Sequence, residues 1–136
     1  MDKRTELLNK ILQNGFPDKE VVVSVEEFFD GNDDIGSIGC NIYPDPPSLQ
    51  TFYETFTRLK AIDKIENIFV RIADIEDSDW FYTDTVFVIG DITISELKEM
   101  FKDLRPDEIY SGWMYGLPAN LNGEKIDKKI HSVLWD

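Results

Sequence analysis

The chain has 136 residues and a formal charge of -13, from 14 Lys+Arg against 27 Asp+Glu, and it is 42% apolar with nine Phe, five Tyr and three Trp. That length suits a single domain over residues 1–136 with a core large enough to need no staples, and the aromatic content excludes an intrinsically disordered chain. The lone cysteine, Cys40, excludes an internal disulfide framework and a multi-cysteine zinc site.

Residues 1–15 mix charges of both signs and contain no continuous apolar run, so no signal peptide is expected there. Leu7, Leu8, Ile11 and Leu12 recur at helical spacing, with Gly15 and Pro17 as a stop. Val21 to Val25 is a β-branched run and predicts a strand. Residues 30–39, with three Gly among Asp and Asn, predict a loop, and Cys40 is expected as a small core residue opening a strand. After Pro44, Pro46 and Pro47, Ser48 is placed to cap a helix whose face is Leu49, Phe52, Tyr53, Phe56, Leu59 and Ile62.

Ile65 to Ile75 alternates at Ile68, Val70 and Ile72, as a strand does. A turn at Glu76 to Asp79 leads into a second strand over Trp80 to Ile89. Ser95 is the expected cap of a helix with Leu97, Met100, Phe101 and Leu104 on one face, stopped by Pro106. Strands over Glu108 to Tyr110 and Ile130 to Trp135 flank a loop from Gly112 to Gly123. No run reaches the length of a membrane span, so the expected location is cytoplasmic. The expected fold is α+β: a mostly antiparallel sheet with helices on one face, in β-α-β-β-α-β order with an extra N-terminal helix and C-terminal strand. That order matches the split β-α-β arrangement, although order by itself leaves the strand pairing open.

The negative charge is segregated. Glu20 to Thr57 holds eight acids and no Lys or Arg; Ile72 to Leu97 holds seven acids and again no base. The rest of the chain carries 14 bases against 12 acids. Such a field attracts cationic partners and repels nucleic acid and anionic lipid, while a plain solvated surface is the competing reading.

Catalytic signals are sparse. His131 is the single histidine, so any Ser-His-Asp or Cys-His arrangement must use it, and acidic neighbours weaken Cys40 as a nucleophile. The single histidine and single cysteine also rule out a multi-histidine metal site. Asp30-x-Asn32-x-Asp34 matches the first three ligands of a calcium loop, but position six is Ile35 instead of Gly and position twelve is Asn41 instead of Glu. No phosphate-cradling glycine pattern occurs. The chain therefore reads as a binding protein, not an enzyme, with no metal and no cofactor. Trp80, Phe81, Tyr82, Trp113 and Tyr115 are weighed between core duty and partner contact, core duty being the commoner role of an aromatic.

Three segments carry a family likeness: Glu26-Glu27-Phe28-Phe29-x-Gly31-Asn32-Asp33-Asp34-x-Gly36-Ser37-Ile38-Gly39-Cys40-Asn41, Trp80-x-x-x-Asp84-Thr85-Val86, and Pro106-Asp107-Glu108-Ile109-x-x-Gly112-Trp113. Together they resemble small acidic bacterial proteins of the immunity kind. The resemblance spans roughly Val21 to Trp113 and implies a cytosolic α+β domain that neutralises a cognate polymorphic toxin. It transfers no toxin-binding residues. Combined with the charge argument, it implies a basic protein partner, a toxin domain such as a nuclease, whose phosphate-binding groove an acidic surface imitates. The residues proposed to meet it are Asp30, Asp33, Asp34, Asp77, Asp79, Trp80, Trp113 and Tyr115. The alternative is a small enzyme or cation-binding protein that uses the 30–41 loop as a site rim.

Overall fold

Helix α1, Lys3–Gln13, starts where the Asp2 carboxylate accepts the Thr5 N–H, and it buries Leu7 and Ile11. The computed structural model describes residues 2–75 and 79–135; of the turn expected at Glu76 to Asp79, Glu76, Asp77 and Ser78 lie outside the described residues. Strand β1 is only Val22–Ser24, because Ser24 immediately caps a helix, α2, over Val25–Phe29. The capping box is reciprocal: Ser24 Oγ accepts the Glu27 N–H at 3.0 Å, and the Glu27 carboxylate accepts the Ser24 N–H at 2.9 Å. The strand expected over Val21 to Val25 is thus cut short by a Ser-x-x-Glu signal that the β-branched run masked.

Helix α3, Leu49–Lys60, is capped by Ser48 as expected and buries Phe52, Phe56 and Leu59. The expected strand from Ile65 to Ile75 divides into β2, Ile65–Arg71, and β3, Asp74–Ile75. The next likewise divides into β4, Phe81–Tyr82, and β5, Thr85–Gly90. β3 and β4 form a separate two-stranded ribbon. Helix α4, Ile94–Met100, is capped by Thr93 in a second capping box with Glu96, in place of Ser95, and a 3₁₀ turn at Lys102–Leu104 completes the expected face. Strands β6, Glu108–Ser111, and β7, Ile130–Leu134, close the sheet.

The main sheet has the order β1-β2-β5-β7-β6, antiparallel at every junction. The split β-α-β pairing, which needs a third strand between two parallel strands joined through a helix, is not formed: β1 lies at an edge and pairs directly, antiparallel, with β2. Its outward groups at Val22 are already bound, since Asn120 Nδ2 donates to Val22 O at 2.7 Å and Asn120 Oδ1 accepts the Val22 N–H at 3.1 Å. No further strand can pair there.

All four helices face one side of the sheet, as the α+β reading requires. Leu7, Phe28, Phe56 and Phe101 share one core with Val23, Ile68, Val70, Val86, Val88 and Val133. Trp135 roofs this core; its ring lies 5.6 Å from Phe52 and its indole N–H donates to Leu104 O at 2.8 Å. The other side is covered by residues 112–129, which include the segment read as a loop, Gly112 to Gly123. There Val22, Phe87 and Leu121 pack with Phe69, Trp113 and Ile126. Covered on both faces, β5 is buried at all six positions.

Candidate functional site

The two acidic stretches meet through a short backbone contact. Ile38 forms an isolated bridge with Thr83, and the Thr83 N–H donates to Ser37 O at 2.9 Å. Gly39 makes this approach feasible. Its φ is +66°, and a Cβ there would sit 2.8 Å from the Phe52 ring. Ser37, Ile38 and Gly39 therefore enter the core, and Cys40 does not. Contrary to the expectation of a core cysteine, it is exposed in the following turn, its Sγ 3.7 Å from the Tyr82 hydroxyl.

The loop before Ile38 is held by its own side chains. Asn32 Oδ1 accepts the Asp34 N–H at 2.9 Å, Asp34 Oδ1 accepts the Gly36 N–H at 2.9 Å, and Asn32 Nδ2 donates to Ser37 Oγ at 3.0 Å. Two oxygens of the partial calcium-loop match are thus engaged with backbone, the usual turn chemistry of Asx residues.

This anchoring builds an open groove of about 810 Å³ between the start of α1 (Asp2, Lys3, Arg4 and Thr5), the loop at Gly31, Asp33, Asp34 and Ile35, and Asp79 with Trp80. Four of the residues expected at a partner surface, Asp33, Asp34, Asp79 and Trp80, line it together. Asp30 lies at its flank, its carboxylate 2.5 Å from Lys3 Nζ. Asp77 falls outside the described residues. Trp80 is only 6% exposed, packed edge-on against Phe81 at 5.3 Å, so it forms a wall and not a projecting anchor. The projecting apolar residue is Ile35, 84% exposed. Periodicity passed over it because it stands alone among Asp and Gly.

Trp113 and Tyr115 belong elsewhere. Both lie on the loop-covered face of the sheet, away from the helices. Trp113 packs edge-on against Phe87, with ring centroids 4.9 Å apart. Tyr115 lies over the Arg71 guanidinium, 3.7 Å from it. Arg71 Nε donates to Glu20 at 2.6 Å and its NH1 to Asp84 at 3.1 Å. Burial disfavours the charged guanidinium, but the bond to Glu20 and the charges of Glu20 and Asp84 outweigh this and raise its pKa. Those carboxylates come one from each acidic stretch, so a base lying between the two stretches, immediately before the second, ties them together.

The segregation of charge along the chain is partly undone in space. Besides Glu20 and Asp84, Glu26 pairs with Lys60, Glu27 with Lys10, Asp30 with Lys3, Asp91 with Lys128 and Glu96 with Lys64. The hydrogen bond from Lys60 holds the Glu26 carboxyl below the ordinary range. For Glu27, burial alone would raise the pKa, but the bonds from Lys10 and Ser24 prevail and lower it. Among the described residues, the groove acids Asp33, Asp34 and Asp79 take part in no ion pair. Their unpaired charge and the start of α1 are what the order of residues concealed.

The catalytic alternatives fare differently. His131 lies buried on β7, opposite Val88 and Ser111, while Cys40 borders β4. Burial lowers the His131 pKa, opposed by the backbone of Ile92 and reinforced by Lys129.

A family model, described as the Uncharacterized protein YfbO family, matches residues 2–134. The chain belongs to that family. A relative from Escherichia coli (strain K12), described as Uncharacterized protein YfbO, is 30% identical over 115 residues, covering 83% of this chain and 81% of the relative. No solved structure matches the chain. No helix among the described residues is long and apolar enough to cross a membrane.

Proposed function

We propose that this protein is a cytoplasmic binding protein for a basic protein segment, which it receives in the groove between the start of α1, the 31–35 loop and Asp79–Trp80. The observation that carries the reading is a contrast in pairing: seven of the thirteen described acids of the two stretches are ion-paired internally, whereas Asp33, Asp34 and Asp79 share one concavity without an ion pair among the described residues. Four carboxylates, Asp2, Asp33, Asp34 and Asp79, line this groove against Lys3 and Arg4, and Lys3 is already held by Asp30, so the groove keeps an excess of negative charge that favours a cationic partner. Ile35 supplies apolar contact area at the same place. Neutralising a cognate toxin, as the resemblance to immunity proteins implies, is the specific form of this function that we favour.

The test is capture of partners from the native cell, followed by association kinetics at two salt concentrations. Rim charges act mainly on the association rate and are screened within about 8 Å at physiological ionic strength. Reversing Asp33 and Asp79 to Lys should slow association and flatten its salt dependence. Reversing Glu124 and Asp127, which lie on the loop-covered side, should leave both unchanged. Recovery of no basic partner, or a partner indifferent to salt and to the first pair of reversals, returns the acidic groove to a role in solubility.

A further inference from the structure

A second concavity, of about 450 Å³, adjoins the groove and shares Gly31 with it; its other walls include Glu26, Phe29, Asp30, Gln50 and Tyr53. It exists because α2 ends at Phe29. Gly31, at φ +84°, then turns the chain away and leaves the α2–α3 seam uncovered. Phe29 and Tyr53 stay half-buried in that seam, with ring centroids 5.6 Å apart and planes inclined by 58°. Phe29 is backed in turn by Phe28 at 5.2 Å and Phe56 at 5.9 Å, so the aromatic floor is held from behind.

Apart from the Tyr53 hydroxyl, which can donate or accept, the side-chain polar groups this pocket leaves available are acceptors. No Lys or Arg lines it. Glu26 is a carboxylate stabilised by Lys60, and Asp30 is a carboxylate bound through Oδ1 to Lys3. The Gln50 amide nitrogen is committed to Glu54 at 2.9 Å, which leaves its carbonyl oxygen as the available end. Asn32 spends its amide nitrogen on Ser37 and its oxygen on Asp34. Both lysine pairs have acid side chains about 60% exposed, so opening them costs little. What the pocket offers a ligand is therefore an aromatic surface edged by hydrogen-bond acceptors.

We propose that this pocket receives an arginine side chain of the basic partner, an inference that rests on the binding function proposed above and names the residue recognised. A guanidinium is planar, weakly hydrated and carries five donors, so it stacks on aromatic rings while its edge bonds to carboxylates. A lysine ammonium is compact and strongly hydrated, and gains less from a ring floor.

The test uses the intact protein and three blocked tripeptides with a central arginine, lysine or citrulline, followed by NMR of Phe29, Tyr53 and the backbone. The arginine peptide should give saturable shifts at Phe29, Tyr53 and Gln50, with ring-current shifts on its own side-chain methylenes. The isosteric but neutral citrulline peptide should give none, and lysine should bind more weakly. Replacing Glu26→Gln with Asp30→Asn should weaken arginine binding about tenfold, with the remaining spectrum unchanged. Glu124→Gln with Asp127→Asn, on the loop-covered side, should leave it intact. Equal binding of citrulline or lysine overturns the assignment. So do arginine-induced shifts confined to Asp33, Ile35 and Asp79, a result that leaves the groove reading standing. Arginine binding in this pocket without any basic partner in the cell would instead sink the groove reading and spare the pocket.

Discussion

The two faces of the sheet are covered by different physics. On one, helices lay continuous apolar stripes over Val23, Ile68, Val70, Val86, Val88 and Val133, and the contact is apolar and rich in aromatics. On the other, residues 112–129 have little regular structure and are attached by polar stitches at both edges. Ser132 Oγ donates to Gly112 O at 2.7 Å and accepts the Met114 N–H at 3.1 Å, while the Ala119 N–H donates to Glu20 O at 2.8 Å. The Arg71 cluster and the Trp113–Phe87 contact complete that attachment. The helix face is held by buried area summed over many side chains. The loop face depends on a few directional bonds, so it should be weaker and should open locally before the molecule unfolds.

The largest effect should come from the helix face. Phe56 is fully buried and touches Phe29, Phe52, Phe101 and Trp135. Phe56→Ala should cost about 3–5 kcal/mol in urea unfolding, from lost transfer energy plus the cavity left behind. A loss below about 1 kcal/mol would mean that this face is not the main source of stability.

An intermediate effect is expected on the loop face. Arg71→Met should cost about 1–3 kcal/mol, because Glu20 and Asp84 would lose their partner while only about 30% exposed. The signature that separates it from Phe56→Ala is local. Amide exchange at Met114 and Ala119 should accelerate well beyond the change in global stability. Uniform acceleration across the helices would erase the distinction between the faces.

The smallest effect concerns His131. Its pKa in the folded protein is lowered, so the folded state resists protonation while the unfolded chain takes up a proton near 6.5. The corresponding stability is complete above 6.5, falls as the pH drops below it, and stops falling at the folded pKa. Over that interval the wild type should lose stability relative to His131→Leu as the pH falls. A pH-independent difference would show that His131 does not titrate differently on folding.

Legibility followed periodicity. Phe52, Phe56 and Leu59 repeat every three to four residues and were readable as one helix face, because burial on a helix demands that spacing. The capping boxes at Ser24–Glu27 and Thr93–Glu96 were also written in the chain. A competing strand signal at Val21 to Val25, and the neighbouring Ser95, obscured them. Ion pairing was not readable, since Arg71 reaches Glu20 across 51 positions and no local rule connects them.

What the sequence by itself determined is the material of the fold: the places of α1, α3 and α4 and of most of the strands, that helices cover one face, and that acids outnumber bases. Those are consequences of local propensity and short periods, which act over a few residues. Tertiary structure alone decided where the charge acts. It placed β1 at an edge, drew Ile38 to Thr83, cancelled Glu26, Glu27 and Asp84 against distant bases, and left Asp33, Asp34 and Asp79 around one groove. Coulomb energy depends on distance through space, and only the folded chain sets that distance.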